Sequence, residues 1–101
     1  MENITKNEIL QFISDNKDYL FTHFHVTQIG IFGSFARGTQ TENSDIDLLV
    51  EFEDGTQNRF KLKQEMRDYF YKIFHRDVDI ARVKYLKPYA KEIILKETVY
   101  V

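Results

Sequence analysis

The sequence predicts an α/β (α+β) fold, in which a short mixed β-sheet carries helices packed on it. Residues 45–53 alternate between apolar and mostly acidic side chains, which is the period of a strand with one buried face. Residues 62–73 place apolar side chains at steps of three and four, which is the period of an amphipathic helix. The segments around them extend the order to α, β, short α, β, α, β, α, and this order favours one sheet with helices packed on it.

The first part of the chain carries a helix signal followed by a strand signal. Thr5 and Glu8 match a capping box, in which a hydroxyl and a carboxylate satisfy free amides at a helix start. We therefore expect one helix from this point to about Tyr19 or Phe21. Residues 26–32 are rich in β-forming side chains and predict the first strand.

Turn and strand signals also organise the second half of the chain. The Asp-Gly pair at 54–55 ends the strand of residues 45–53 with a turn. Residues 77–81 predict a third, short strand. Pro88 is tolerated in the first turn of a helix, so we expect it to open a final helix through residues 93–95.

The bulk properties restrict the class of protein. At 101 residues the chain predicts one domain over residues 1–101, and its 43% hydrophobic and 30% charged residues are typical of soluble globular proteins. No apolar run approaches the length of a membrane span or forms a signal peptide, so we expect no membrane partner and a cytoplasmic location. The absence of cysteine excludes disulfides and thiolate metal sites, and the net charge of −2 argues against direct nucleic-acid binding.

Asp45 and Asp47 are the first candidates for chemistry. Because they are two apart on a strand, both carboxylates project from the same face. Two such charges repel by roughly 4 kcal/mol at about 4 Å and an effective dielectric of about 20. A divalent cation or a proton relieves that repulsion, and carboxylate oxygens are among the ligands that Mg²⁺ prefers. The alternative is a pair of ordinary surface acids on a strand, which this spacing alone does not exclude.

The segment 33–38, Gly-Ser-Phe-Ala-Arg-Gly, is the second candidate. Gly33 follows the first predicted strand and permits a positive φ and a close approach of the backbone to a phosphate. Free amides at the start of the next helical turn, with the Ser34 hydroxyl, would form an anion site, and Arg37 could add a bidentate contact. The alternative is a tight turn that needs glycine for its geometry alone.

Together the two segments resemble the signature of the polymerase-β-like nucleotidyltransferases, Gly-Ser followed about ten residues later by Asp-x-Asp. Ten residues separate Ser34 from Asp45 here. The fuller pattern, with Ser-Asp-Ile-Asp-Leu at 44–48, is similar to the minimal nucleotidyltransferase (MNT) group, and so is the C-terminal run 94–101. The likeness covers about residues 27–101 and implies the polymerase-β-like fold.

The resemblance also implies roles for the site residues. Gly33 and Ser34 would hold the triphosphate of ATP, and Asp45 and Asp47 would bind two Mg²⁺ ions. A third acid on a neighbouring strand would complete the metal site.

Two residues compete for the place of that third acid. Asp79 lies within the predicted strand between aliphatic neighbours, and the family pattern also places the acid there, where it could bind metal and receive a proton. Asp77 lies on the same strand face but follows Arg76, with which it could simply pair. We expect Asp79, and Asp77 stays the alternative.

MNT proteins of this kind commonly act as antitoxins beside a HEPN-type ribonuclease toxin. The resemblance therefore implies a Mg²⁺-dependent enzyme that transfers AMP from ATP to a hydroxyl of such a toxin, with tyrosine as the expected acceptor. Two alternatives stay open. One is an antitoxin that neutralises its partner by stoichiometric binding, and the other is a nucleotidyltransferase that acts on a small hydroxylated molecule.

Overall fold

A computed structural model describes residues 4–101, and its helices and strands alternate much as the sequence predicts. The elements are α1 (Lys6–Asp15), α2 (Lys17–Phe24), β1 (Val26–Phe32), α3 (Gly33–Arg37), β2 (Ile46–Phe52), α4 (Arg59–Phe74), β3 (Val78–Ala81), a 3₁₀ turn (Val83–Tyr85), α5 (Pro88–Glu97) and β4 (Val99–Tyr100). Within this range no helix has both the length and the apolar character needed to cross a membrane.

The strands of the described residues form one mixed sheet in the order β3-β2-β1-β4. Strand β1 runs antiparallel to both β2 and β4, whereas β2 and β3 are parallel. Parallel neighbours need a long crossover, and α4 provides it between β2 and β3. The predicted fold class is confirmed.

One face of the sheet carries the hydrophobic core. Every second residue of β2, from Ile46 to Phe52, is at most 5% exposed, as the alternation predicts. α4 belongs to the same core through Met66 and Phe70, which are fully buried. Ile73, which the helical period also assigns to the apolar face, lies in the last turn of α4 and is 38% exposed. Strand β2 is therefore anchored rigidly, and its acids point away from the core.

The opposite face of β2 is partly covered by the 3₁₀ turn. Glu51 accepts hydrogen bonds from the backbone N–H of Val83 at 3.2 Å and from Arg82 Nε at 3.3 Å. Leu49, on the same face, is also buried, at 1% exposure. The cover does not bury Asp47, which lies nearer the start of the strand and stays half-buried.

The prediction of a single first helix is wrong, because the helix breaks at Asn16. The side-chain Nδ2 of Asn16 donates to the carbonyl of Phe12 at 2.7 Å, and its backbone N–H donates to Ile13 at 3.1 Å. An asparagine side chain competes in this way for helical carbonyls, so α1 ends there and α2 begins at the next residue. The predicted capping box is half made: the Thr5 hydroxyl accepts the N–H of Glu8 at 3.2 Å, and the Glu8 carboxylate accepts from that hydroxyl.

Strand β4 is not predicted by the sequence. Val99 and Tyr100 pair with Ile31 and Gly30 of β1. A two-residue strand shows no alternation of its own, so only its partner reveals it. This pairing matters because it fixes the end of α5 beside the end of β1.

Candidate active site

The turn between β1 and α3 requires glycine at position 33 for two separate reasons. Gly33 has φ +75°, a conformation that costs other residues energy. In addition, a Cβ at this position would overlap the carboxylate of Asp47. The sequence predicts that Gly33 serves either a phosphate cradle or turn geometry alone. The structure gives it a further role, which is to make room for a carboxylate of the adjacent strand.

Strand pairing gathers the predicted acids at one end of the sheet. Asp47 lies opposite Phe32, the last residue of β1, and in parallel register with Asp79 of β3. Asp45 comes one residue before β2 begins, two positions from Asp47 and therefore on the same side. The turn at Gly33 and three carboxylates from two strands thus meet in one region.

Asp47 carries the electrostatic signature of this gathering. The pKa of the Asp47 carboxyl is raised to about 6, mainly because burial disfavours its charged form. The negative charges of Asp79, Asp45 and Glu97 act in the same direction, and the positive charge of Arg37 opposes them. Groups that shift each other's titration lie within effective electrostatic range. The region is therefore strongly electronegative and suited to a cation.

Asp79 fits the third position better than Asp77 does. Asp79 is in register with Asp47, and of the charged neighbours it has the largest effect on the pKa of Asp47. Asp77 precedes β3, and its carbonyl oxygen accepts the N–H of Ile46 at 2.9 Å. Its backbone therefore contributes to the pairing of β2 with β3. The suggested pairing of Asp77 with Arg76 is absent among the described residues. Arg76 instead donates to backbone carbonyls in the loop before β2.

That loop positions Asp45. Arg76 Nη1 donates to the carbonyls of Thr41 and Ser44 at 2.9 Å each, and the Ser44 hydroxyl accepts the N–H of Thr41 at 2.8 Å. The Arg76 guanidinium also lies 5.3 Å from the ring centre of the fully buried Phe35. The loop leading into Asp45 is thereby tied to both the core and β3.

Glu97 is the site residue that sequence reasoning missed. Its Oε2 accepts the N–H of Gly33 at 2.6 Å, and both its oxygens accept from Arg37 Nη1, at 3.0 and 3.1 Å. The Glu97 side chain is 16% exposed. No local signal could have found it, because it lies at the end of α5, far from residues 33–38 in sequence. It takes up one of the amides predicted to be free for a phosphate.

Two of the predicted phosphate donors are still available. The hydrogen bonds of Arg37 use Nη1, so its other guanidinium N–H groups have no partner within residues 4–101. The Ser34 hydroxyl, in the first turn of α3, likewise has no hydrogen bond to any residue that the structure describes. Ser34 and Arg37 can therefore face a ligand while Glu97 holds the turn.

A cavity of about 410 Å³ opens beside the acids on the β3 side. Its lining includes Asp45 and Asp79, together with Gln64, Arg67 and Tyr71 from α4. A space of this size can accept a side chain or a nucleotide. The turn at Gly33 and this cavity lie on different sides of the carboxylates, so two substrates could approach them separately.

The donor set fits Mg²⁺. Carboxylate oxygens are hard ligands, and Mg²⁺ usually takes only one or two of them with phosphate oxygens and water completing its shell. Asp45, Asp47 and Asp79 offer such oxygens where burial, and after it the charges of Asp79 and Asp45, raise the pKa of Asp47. Within residues 4–101, no group of three or more His, Asp or Glu side chains is placed to hold a metal ion by itself, so phosphate and water would have to supply further ligands.

Comparison with known proteins gives consistent matches. Residues 7–101 match the family model described as the nucleotidyltransferase domain. Protein adenylyltransferase MntA of Thermococcus cleftensis is 35% identical over 101 residues, covering 100% of both chains. A solved structure described as a minimal nucleotidyltransferase has a TM-score of 0.75 at 27% identity, covering 98% of each chain. The MNT antitoxin complex with tri-AMPylated Shewanella oneidensis HEPN toxin shares the fold, with a TM-score of 0.55 at 19% identity over 94% of this chain and 66% of that one.

Proposed function

This chain belongs to the nucleotidyltransferase domain family and is related over its full length to protein adenylyltransferases, and from that premise we propose that it transfers AMP from ATP to a hydroxyl of a HEPN ribonuclease toxin. The acceptor hydroxyl is that of a tyrosine, and the transfer silences the toxin in the cytoplasm, so that the chain acts as an antitoxin. In this proposal residues 1–101 act as one catalytic domain.

The observation that carries the proposal is the meeting of a Gly-Ser turn with three carboxylates. Gly33 leaves the space that Asp47 fills, and Asp47 is in register with Asp79. A turn that needs glycine only for its geometry does not need that contact, and acids opposite each other on neighbouring strands repel unless a cation or a proton relieves them. The same arrangement offers phosphate donors on one side and an open cavity on the other.

Asp45, Asp47 and Asp79 would hold Mg²⁺, which when bound neutralises phosphate charge and favours the ionised form of an acceptor hydroxyl. Ser34 and Arg37 would bind and orient the triphosphate. The acceptor oxygen attacks the α-phosphorus, the bond from that phosphorus to the bridging oxygen breaks, and pyrophosphate leaves. Asp79, next to the cavity, would receive the hydroxyl proton. Catalysis is then mainly positioning and charge stabilisation.

The proposal is tested by co-expressing the chain with the protein encoded beside it, which we expect to be a HEPN toxin, and measuring the intact mass of that protein. We expect a mass increase of one AMP or a multiple of it, located on a tyrosine by fragmentation. The double variant Asp45→Asn/Asp47→Asn should leave the HEPN protein unmodified. Labelling that persists in the double variant would show that the site is wrongly assigned.

The same system separates the two alternatives. A catalytic antitoxin, given Mg²⁺ and ATP, inactivates the ribonuclease when present at a small fraction of its concentration. A stoichiometric binder needs equal amounts and works without ATP. If the HEPN protein stays unmodified and AMP appears on a small hydroxylated compound, the acceptor proposal fails while the nucleotidyltransferase site stands.

A further inference from the structure

Basic and aromatic side chains gather on one side of the molecule, around the 3₁₀ turn. The centre of the Tyr85 ring lies 6.0 Å from Lys63 Nζ, 5.7 Å from the Arg82 guanidinium and 5.7 Å from Lys84 Nζ. Arg67, one helical turn beyond Lys63 in α4, belongs to the same group. We call these five residues the basic face.

The positive charge of the basic face is poorly neutralised. Glu51 pairs with Arg82 at 3.3 Å, but within residues 4–101 no carboxylate lies within ion-pairing distance of the other three cations. Burial lowers the pKa of Lys63, and the charges of Arg82 and Arg67 lower it further. These cations repel one another although the net charge of the whole chain is −2. A bound anion would relieve that repulsion.

The basic face adjoins the proposed reaction site. Arg67 lines the cavity of about 410 Å³ that Asp45 and Asp79 also line. Tyr71, 51% exposed, lines the same cavity, and Tyr85 of the basic face is 66% exposed. On the other side of the acids, Ser34 and Arg37 are placed to bind the triphosphate in the proposed function, which leaves the cavity side for the acceptor. A molecule held on the basic face can therefore reach the acids through the cavity.

We propose that the basic face docks an acidic segment of the acceptor protein and so directs the acceptor hydroxyl into the cavity beside Asp45 and Asp79. The identity of the acceptor rests on the proposed function, but the charge and place of its docking segment are read from this surface. Because α4 lines the cavity and meets the 3₁₀ turn where Lys63 lies near Tyr85, these two elements would supply acceptor selectivity.

A protein segment fits this surface better than RNA does. Exposed tyrosine and arginine are the side chains most enriched at the energetic centres of protein interfaces. The cavity next to the basic face is lined by carboxylates, which repel a phosphate backbone because it is charged at every nucleotide. A protein segment can place its acidic side chains on the basic face and present an uncharged hydroxyl to the cavity. Charge complementarity on an exposed rim acts mainly on the association rate, so docking should weaken as salt increases.

The test is a charge-reversal pair with a matched control. Lys63→Glu/Lys84→Glu reverses two charges of the basic face, and Lys17→Glu/Lys72→Glu reverses two exposed lysines elsewhere, for the same change in net charge. Lys84→Glu alone, at an exposed position, serves if the partly buried Lys63 does not tolerate glutamate. Thermal melts show which variants are folded.

Binding of each variant to the neighbour-encoded acceptor protein of the proposed function is measured without ATP, at low and high salt, and AMP transfer is measured separately. We expect the basic-face variant to lose about tenfold or more in affinity at low salt, mostly in association rate. The KM for the protein acceptor should rise accordingly, with kcat and the KM for ATP close to wild type. The control variant should bind as wild type does.

Equal affinity and equal salt dependence of all variants would overturn the proposal. So would binding of an oligoribonucleotide that depends on these lysines while protein binding does not, since the face would then be a nucleic-acid surface. The outcome is separable from that of the proposed function. Lysine-dependent binding without AMP transfer contradicts the proposed function alone, and AMP transfer with an unchanged acceptor KM contradicts the docking face alone.

Discussion

Glu97 accepts the backbone N–H of Gly33 at 2.6 Å, joining the last residue of α5 to the first residue of α3 across 64 positions of sequence. The same carboxylate holds Arg37 through both of its oxygens. The C-terminal helix thus fixes the geometry of the turn that the sequence predicts for phosphate binding. It also occupies the Gly33 amide, so that in the proposed function Ser34 and Arg37 would be the principal donors to a triphosphate.

Replacing Glu97 by alanine should weaken both the fold and nucleotide binding. The partly buried Gly33 N–H and Arg37 would lose their acceptor, which costs about 1–3 kcal/mol of unfolding free energy. Arg37 would also lose its orientation, so we expect the KM for ATP to rise more than kcat falls. Urea unfolding and steady-state AMP transfer measure the two effects.

The matched control for Glu97 is Glu92→Ala on the same helix. Glu92 pairs with Lys96 at 3.1 Å, and both side chains are more than three-quarters exposed, so the change should stay within about 0.5 kcal/mol. A Glu97 variant with wild-type stability and wild-type KM for ATP would show that this contact does not organise the turn.

Gly33→Ala should be far more damaging than Gly38→Ala. Both glycines have φ +75°, so alanine at either position costs about 1–2 kcal/mol of backbone strain. At Gly33 the new Cβ also overlaps the Asp47 carboxylate, whereas at Gly38 nothing lies within 4 Å. We expect a further loss of about 1–3 kcal/mol and loss of AMP transfer for Gly33→Ala only. Similar effects of the two changes would mean that the Asp47 contact is easily relieved.

Local features of the sequence predicted the strand that carries the site, for a clear physical reason. Residues 45–53 have one buried and one open face, so their period of two is imposed by the core and visible without a structure. The helix that forms α4 follows from a similar local period in residues 62–73. The direction of Asp45 and Asp47, away from the core, followed from the same alternation.

Features that depend on distant parts of the chain were not predictable. The break at Asn16 depends on its side chain competing with backbone N–H groups for the Phe12 carbonyl, and helix propensity does not decide that competition. The parallel register of Asp47 with Asp79 is set by the crossover of α4. The role of Glu97 exists only because β4 pairs with β1 and brings the end of α5 to the turn.

Asp79→Asn should remove AMP transfer, and Asp77→Asn should not. Both acids line the cavity, but only Asp79 is in register with Asp47, and we place Asp79 as the metal ligand and proton acceptor. Loss of a proton acceptor alone typically costs about 10²–10⁴ in rate. Asp77 contributes its backbone carbonyl to Ile46, which asparagine keeps. Single-turnover labelling of the HEPN protein compares the two variants, and the reverse ranking would assign the third carboxylate to Asp77.

Asp47 should make the metal-free protein less stable as pH rises. Its pKa is about 6 in the folded state and about 3.9 in an unfolded chain, so the folded state holds the proton more tightly. Stability is then lost between about pH 4 and pH 6 and does not return above that window. Because the carboxylate is half-buried and partly screened by water, we expect a loss of about 1–2 kcal/mol rather than the full shift.

Asp47→Asn removes this titration and provides the measurement. In EDTA, urea unfolding should show the variant about 1–2 kcal/mol more stable than wild type at about pH 8, with that advantage gone at about pH 4. Asp54→Asn, at an exposed carboxylate on the turn after β2, controls for the general loss of one negative charge. Added Mg²⁺ with ATP should stabilise wild type at about pH 8 and not the Asp47 variant, because ligand binding adds to the stability of the folded state only. An equal advantage of the variant at both pH values would show that the burial and acidic neighbours of Asp47 do not govern its charge.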